Sequence, residues 1–237
     1  MTLLLEAPRA ATLAPALVAI SHGTSSAEGQ CAVASLVSAV AAQRDDLLVT
    51  GGFVDVQQPD VAATLAGIDR DPVVVPLLLS AGYHVHVDLR KELRGTPGAA
   101  LTRALGPDDR LVDVLERRLN EIGLHCTDRI VLACAGSSDA RAVDDCHEMG
   151  ARLSHRLGRA VRVGFISAAT PRLDDAVDME RTRGSRVIVA TYLLAPGYFN
   201  DLAHATTADA ATAPLLRADE APPAELVDLV LDRYAGN

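Results

Sequence analysis

The 237-residue chain has no tryptophan, aromatic residues make up only 3% of it, and lysine occurs once, at Lys91, so nearly all of its 22 basic residues are arginine. No apolar run approaches the roughly 18 residues of a membrane-spanning helix, because Asp, Arg, Gln or Gly interrupts each one. The opening stretch, MTLLLEAPRAATLAPALVAISHG, carries Glu6, lacks a basic leading segment and runs into a strand-like segment, so it does not read as a signal peptide. Cys31, Cys126, Cys134 and Cys146 have no C-x-x-C spacing, which removes the pattern that zinc ribbons and thioredoxin-like sites need. They read as buried free thiols in a reducing cytosol. There is no G-x-S-x-G nucleophile elbow and no Walker loop.

What is present is ordinary for a globular protein: 49% hydrophobic and 22% charged residues, in a chain long enough for one or two domains. The net charge of −9 argues against a nucleic-acid surface. It leaves room for an anionic small ligand in a locally basic pocket.

The chain repeats itself. LVAISHGTSS (17–26) corresponds to IVLACAGSSD (130–139), FVDVQQP (53–59) to FISAATP (165–171), LLLSAGYH (77–84) to YLLAPGYF (192–199), and LVDVLERRL (111–119) to LVDLVLDRY (226–234). The four matches are collinear at a nearly constant offset of about 113 residues, which marks two homologous halves, 1–124 and 125–237. Each half follows one grammar of short apolar strand, Gly/Ser turn and helix. In the first half, LVAIS, LLVTGGFVDV, PVVVPLLLS and ALTRAL supply strands, while 27–43, a short segment after Pro59, 86–94 and GPDDRLVDVLERRLNEIG supply helices. Alternating strands and helices predict an α/β fold of two lobes, each a small parallel sheet flanked by helices, facing each other across a cleft. Ligands in such sheets bind beyond the carboxyl ends of the strands.

Three polar residues fall where that rule points. His22 follows the first strand, Asp55 ends the second, and His84 follows the third; the repeat aligns them with Ala135, Ser167 and Phe199. One copy therefore carries titratable groups and the other does not. Two imidazoles and a carboxylate can ligate a divalent transition metal or move protons near neutral pH.

The SHGT after the first strand, the F-V-D-x-x-x-P after the second and VVVPLLLSAGYHVHVDL around the third resemble the class II tetrapyrrole chelatases, in particular the sirohydrochlorin chelatase group (CbiX/SirB-like). The resemblance spans the chain, since long members have two tandem lobes, and is strongest over 17–90. It implies a lyase that inserts Fe²⁺ or Co²⁺ into sirohydrochlorin for siroheme or cobalamin biosynthesis, with the metal as substrate and no tightly bound cofactor. It also implies that His22 and His84 are the metal-binding and proton-accepting pair, that Asp88 completes a G-x-H-x-x-x-D motif, and that Asp55 stands where the family often has Glu. The loop HGTSSAEGQ departs from the family by lacking its Arg.

Sirohydrochlorin carries eight carboxylates, so local donors must offset the protein's negative charge. Candidates are the Gly23–Thr24 backbone, the matching Gly136–Ser137–Ser138 turn, and Arg90, Lys91, Arg94, Arg141 and Arg172. Tyr83 and Tyr198 occupy equivalent positions before His84 and Phe199 and either stack on the macrocycle or pack internally. His86 shares a face with His84 if that segment is extended, while His125, His147, His155 and His204 show no paired spacing and read as surface residues. Gly82 and Gly197 read as turn residues. Two alternatives compete. A tetrapyrrole or metal carrier of the same fold would bind without turnover. A histidine phosphatase would need Arg directly before the catalytic His, where this chain has Ser21. Two fused lobes already form a cleft, so the expected state is a cytoplasmic monomer that binds no nucleic acid and no membrane.

Overall fold

The computed structural model describes residues 14–80, 89–181 and 184–236. The first half runs β1 (Ala16–Ser21), α1 (Ala27–Gln43), β2 (Val49–Phe53), α2 (Val61–Ala66), β3 (Pro72–Pro76), helical residues 89–93, β4 (Ala100–Leu101) and α3 (Asp109–Glu121). The second runs β5 (Arg129–Cys134), α4 (Ala140–Leu157), β6 (Val161–Phe165), α5 (Leu173–Glu180), β7 (Val187–Tyr192), α6 (Tyr198–His204), β8 (Ala210–Ala211) and α7 (Ala224–Ala235). Each half forms its own four-stranded parallel sheet, ordered β2-β1-β3-β4 and β6-β5-β7-β8. The third strand is shorter than expected and ends at Pro76, and the fourth is reduced to two residues.

Side-chain alternation divides the core into layers. In β1, Leu17 and Ala19 face a central cluster while Ala16, Val18 and Ile20 face an outer one; in β5, Ile130, Leu132 and Cys134 face the centre while Val131 and Ala133 face out. The outer clusters are covered by α2 and Leu89 and Leu93 on one side, and by α5 and Ala203 of α6 on the other. The central cluster is shared by both sheets and filled from α1, α3, α4 and α7.

The helices of that central layer are exchanged. The last helix of the first half, α3, packs on α4 and β7 of the second, while the last helix of the second half, α7, packs on α1 and β3 of the first. Amphipathic patterning gives each helix an apolar face but does not say which sheet it covers. Two arginines at matching positions of the repeat tie the exchange. Arg118 of α3 is only 2% exposed; its Nε and Nη2 donate to the carbonyls of Pro214 and Leu215 at 3.1 Å each, and its guanidinium pairs with Glu121 and Glu220. Arg233 of α7 is also buried and donates to the carbonyls of Ala104 at 3.0 Å and Leu105 at 2.6 Å, and to Asp108 at 3.1 Å. Burial lowers the Arg233 guanidinium below its ordinary value even though Asp108 opposes this. Burial pushes the Asp108 carboxyl up, but hydrogen bonds from Arg110 and Arg233 outweigh it and hold the group at about 2. Asp108 also caps α3 by accepting the Arg110 N–H, and Arg110 reaches Asp232 on α7.

All four cysteines are free; Cys134 and Cys146 are buried as expected, but Cys31 and Cys126 lie on exposed faces. His125, His147, His155 and His204 are exposed. Among the described residues, no helix is long and apolar enough to cross a membrane.

Arg118→Met and Arg233→Met should each lower the unfolding free energy in urea by about 3–5 kcal/mol, because each strands two buried carbonyls together with two partly buried carboxylates for Arg118 and one for Arg233. A loss below about 1 kcal/mol for both would show that the exchange does not depend on them. Asp108 titrates lower in the folded chain than its ordinary value of 3.8. Its contribution is therefore complete above about pH 4 and is lost as the pH falls to about 2. The stability difference between wild type and Asp108→Asn should shrink across that window and be constant above it.

Candidate active site

The loops after β1 and β2 continue to pair beyond the strands. The Val54 N–H donates to the Ser21 carbonyl at 2.9 Å and the Asp55 N–H to the His22 carbonyl at 3.0 Å, which sets His22 and Asp55 side by side at the carboxyl edge of the first sheet. Both are exposed. A tight turn follows, in which the Gln57 N–H donates to the Asp55 carbonyl at 2.7 Å and Val56 adopts φ 66°. A β-branched residue there is strained. The Val56 N–H also donates to Asp55 Oδ1 at 2.7 Å, which orients the carboxylate. Gly23, at φ 94°, lies so close beneath this turn that a Cβ on it would come within 2.0 Å of the Asp55 carbonyl oxygen.

The second half builds the same frame. The Ile166 and Ser167 N–H groups donate to the Cys134 and Ala135 carbonyls at 2.9 Å each, and that of Ala169 to the Ser167 carbonyl at 2.6 Å. Ala168 has φ 53°, and a Cβ on Gly136 would sit 1.9 Å from the Ser167 carbonyl oxygen. Only the side chains differ. Ala135 replaces His22, and Ser167 replaces Asp55 and turns its hydroxyl back to donate to the Ala135 carbonyl at 2.9 Å.

His84, His86, Asp88, Tyr83 and Gly82 lie outside the described residues. Arg90 and Arg94 are exposed beside the helical residues 89–93. The Thr24 backbone is not the open anion donor expected: its N–H donates to Gln57 Oε1 at 2.9 Å, and the N-terminus of α1 is capped by Ser26, whose hydroxyl accepts the Gly29 N–H at 3.2 Å. Two of the expected cations are also engaged. Arg141 pairs with Asp139 at 2.9 Å, and the Arg172 guanidinium donates to the Ile166 carbonyl. Among the described residues, no group of three or more His, Cys, Asp or Glu is arranged to hold a metal ion. His22 and Asp55 supply one nitrogen and one carboxylate donor, and this pair suits a divalent first-row metal that is held loosely.

Contacts between the halves at this edge are not expected from the motifs. The Pro196 carbonyl passes over the first turn of α1, where a Cβ on Gly29 would come within 2.2 Å of it. Gly197 lies against Thr24 and Ser26; its Cβ position is 3.0 Å from Thr24 Oγ1. The Tyr192 hydroxyl, whose pKa burial pushes well up, donates to the Leu79 carbonyl at 2.9 Å. The sequence signal was Gly29 inside a helix and the Pro196–Gly197 pair facing it.

The CbiX family model matches residues 16–122 and again 129–233. A sirohydrochlorin ferrochelatase of Priestia megaterium is 26% identical over 197 residues, covering 77% of this chain and 74% of the relative. A sirohydrochlorin cobaltochelatase of Sulfurisphaera tokodaii is 36% identical over 81 residues, covering 32% of this chain and 68% of the relative. SirB from Bacillus subtilis, solved with Fe³⁺, superposes with a TM-score of 0.73 at 19% identity and covers 93% of this chain and 94% of its own.

Gly23→Ala and Gly136→Ala should destabilise to a similar degree, each by about 2 kcal/mol or more, since both force a Cβ into a carbonyl at positive φ. Only Gly23→Ala displaces Asp55, so only it should also lower turnover in the protein that remains folded. Equal residual activity in the two variants would contradict that reading.

Proposed function

Because the chain belongs to the CbiX family, we propose that it is a sirohydrochlorin chelatase, which inserts a divalent metal, Fe²⁺ or Co²⁺, into the free-base macrocycle. The observation that carries the mechanism is the duplicated loop frame with chemistry on one copy. The backbone at 21–23 and 53–57 repeats at 134–136 and 165–169, yet only the first copy presents an imidazole and a carboxylate. If the frame alone were required, the difference at both positions would have no purpose.

Insertion replaces two pyrrole N–H bonds by metal–nitrogen bonds, so two protons must leave as the metal arrives. In the proposed sequence neutral His22 and His84 hold the incoming M²⁺ beside the ring face, release it to the pyrrole nitrogens, and accept the protons. Asp55 offsets the charge of the metal or relays a proton; its Oδ1 bond to Val56 keeps the group aimed, and a carboxylate has further acceptor capacity. Protein ligands must let the metal go, so an open, sparsely liganded site fits better than a closed one. The second half supplies the opposite wall. One chain contributes both edges, so a monomer suffices. The exposed free thiols Cys31 and Cys126 suit a reducing cytoplasm.

Anaerobic absorbance of sirohydrochlorin with purified protein, adding Fe²⁺ or Co²⁺ separately, tests the reading. Many turnovers to the metallated spectrum are expected; a stoichiometric shift that stops there would indicate a carrier. His22→Ala should lose about 100-fold or more in rate without losing stability, and Asp55→Ala less than His22→Ala. Wild-type turnover by His22→Ala would overturn the assignment.

A further inference from the structure

Aromatic residues are scarce in this chain, three Phe and four Tyr in all, and the fold mostly covers them. Phe165 and Tyr192 are fully packed in the central core, and Phe53 and Tyr234 are partly buried. Among the described residues, Tyr198 and Phe199 are the exception. They are consecutive, open α6, and are 70% and 36% exposed, with ring centroids 6.1 Å apart at an interplanar angle of 48°. An adjoining exposed pair of large apolar rings is a feature of binding surfaces rather than of ordinary solvent-facing helix.

Their position says what they face. Gly197 immediately precedes them and lies against Thr24 and Ser26; the Thr24 N–H is bound to Gln57, and Gln57 is two residues beyond Asp55. The segments 22–26, 54–57 and 196–199 are therefore contiguous, and the aromatic pair stands on the second half's side of the edge that carries His22 and Asp55. Val56, 58% exposed, adds an apolar side chain on the first half's side. The repeat sets Phe199 where the first copy has His84, so an apolar ring takes the place of a titratable one. On the second half, Arg172 donates to the Ile166 carbonyl and Arg141 pairs with Asp139.

We propose that Tyr198 and Phe199 form an aromatic wall against which one face of the sirohydrochlorin macrocycle rests, with the ring's carboxylates at the periphery. The inference rests on the chelatase reading and assigns the second half's share of substrate binding. The macrocycle is planar and apolar on its faces, and aromatic rings pack on such faces with favourable offset or tilted geometry. Because the wall binds but does not transfer protons, its loss weakens binding and leaves the chemical step to His22.

The test uses the full chain and metal-free sirohydrochlorin, titrated anaerobically by absorbance, followed by steady-state insertion of Co²⁺. Tyr198→Ala/Phe199→Ala should raise Kd by about tenfold and KM in step, with kcat within about threefold of wild type. Tyr198→Phe/Phe199→Tyr should bind within about twofold of wild type, because both aromatic faces remain. Thermal midpoints should fall only slightly, since Tyr198 is largely exposed and Phe199 is partly so, and both variants are compared as folded protein. If wild type binds sirohydrochlorin and the alanine double variant binds equally well, the wall is refuted while the chelatase reading stands. If wild type does not bind sirohydrochlorin, both fall together.

Discussion

Everything at the candidate site depends on the crossing of α3 and α7 between the halves. Within each half, one long helix, α1 or α4, covers only part of the inner face of its own sheet. The chain solves this twice by sending the last helix of each half across to the other sheet. The two sheets then share one apolar core, and the two buried guanidinium groups fix the crossing by hydrogen bonds to carbonyls of the opposite half. An arginine buried in this way is costly unless every donor finds a partner. Arg118 meets two backbone carbonyls and two carboxylates, and Arg233 meets two backbone carbonyls and Asp108. With the halves fixed in this way, Pro196 and Gly197 come to rest on the first turn of α1, and the carboxyl edges of both sheets become parts of one surface.

The duplication separates scaffold from chemistry. Both copies use a positive-φ glycine beneath a tight turn, and both turns are held by the same backbone bonds. The strain stored at Val56 and Ala168 is thus a property of the frame, not of catalysis, because the copy without His and Asp has it too. What the first copy adds is only side chains. A histidine and an aspartate could be set on an existing backbone without rebuilding it. The second copy, free of that task, holds its serine hydroxyl against its own backbone and presents aromatic surface instead.

The strands, α1, α3 and the repeat itself were legible because hydrophobic periodicity is local and the copies reinforce one another. The juxtaposition of His22 with Asp55 was legible as well, because parallel strand order places both at one sheet edge. The helix exchange was not. LVDVLERRL and LVDLVLDRY show an apolar stripe, but a stripe is equally satisfied by either sheet. Arg118 and Arg233 read as ordinary solvated residues until their carbonyl partners, distant in sequence, are known. The retention of that one arginine in both copies was the available signal. The role first expected for Thr24 failed for a similar reason: Gln57 reaches its N–H across the turn, and no motif specifies that contact.

The electrostatic problem of the substrate then takes a different form. A chain of net charge −9 does not draw a polyanion by its overall field, and screening at cellular salt confines any attraction to groups within roughly 8–10 Å. Of the cations that the motifs brought forward, Arg172 donates to the Ile166 carbonyl and Arg141, though exposed, is paired with Asp139, while Arg90 and Arg94 are exposed around Leu89 and Leu93. In the proposed site the apolar faces of the macrocycle carry much of the affinity, and exposed arginines such as Arg90 and Arg94 are left for its rim. That division suits turnover. Contacts to a ring face change little when a metal replaces two protons, whereas ionic contacts and strong metal ligands would hold the product or the ion. The proposed combination of an exposed imidazole, an exposed carboxylate and an apolar wall suits passing a metal on rather than keeping it.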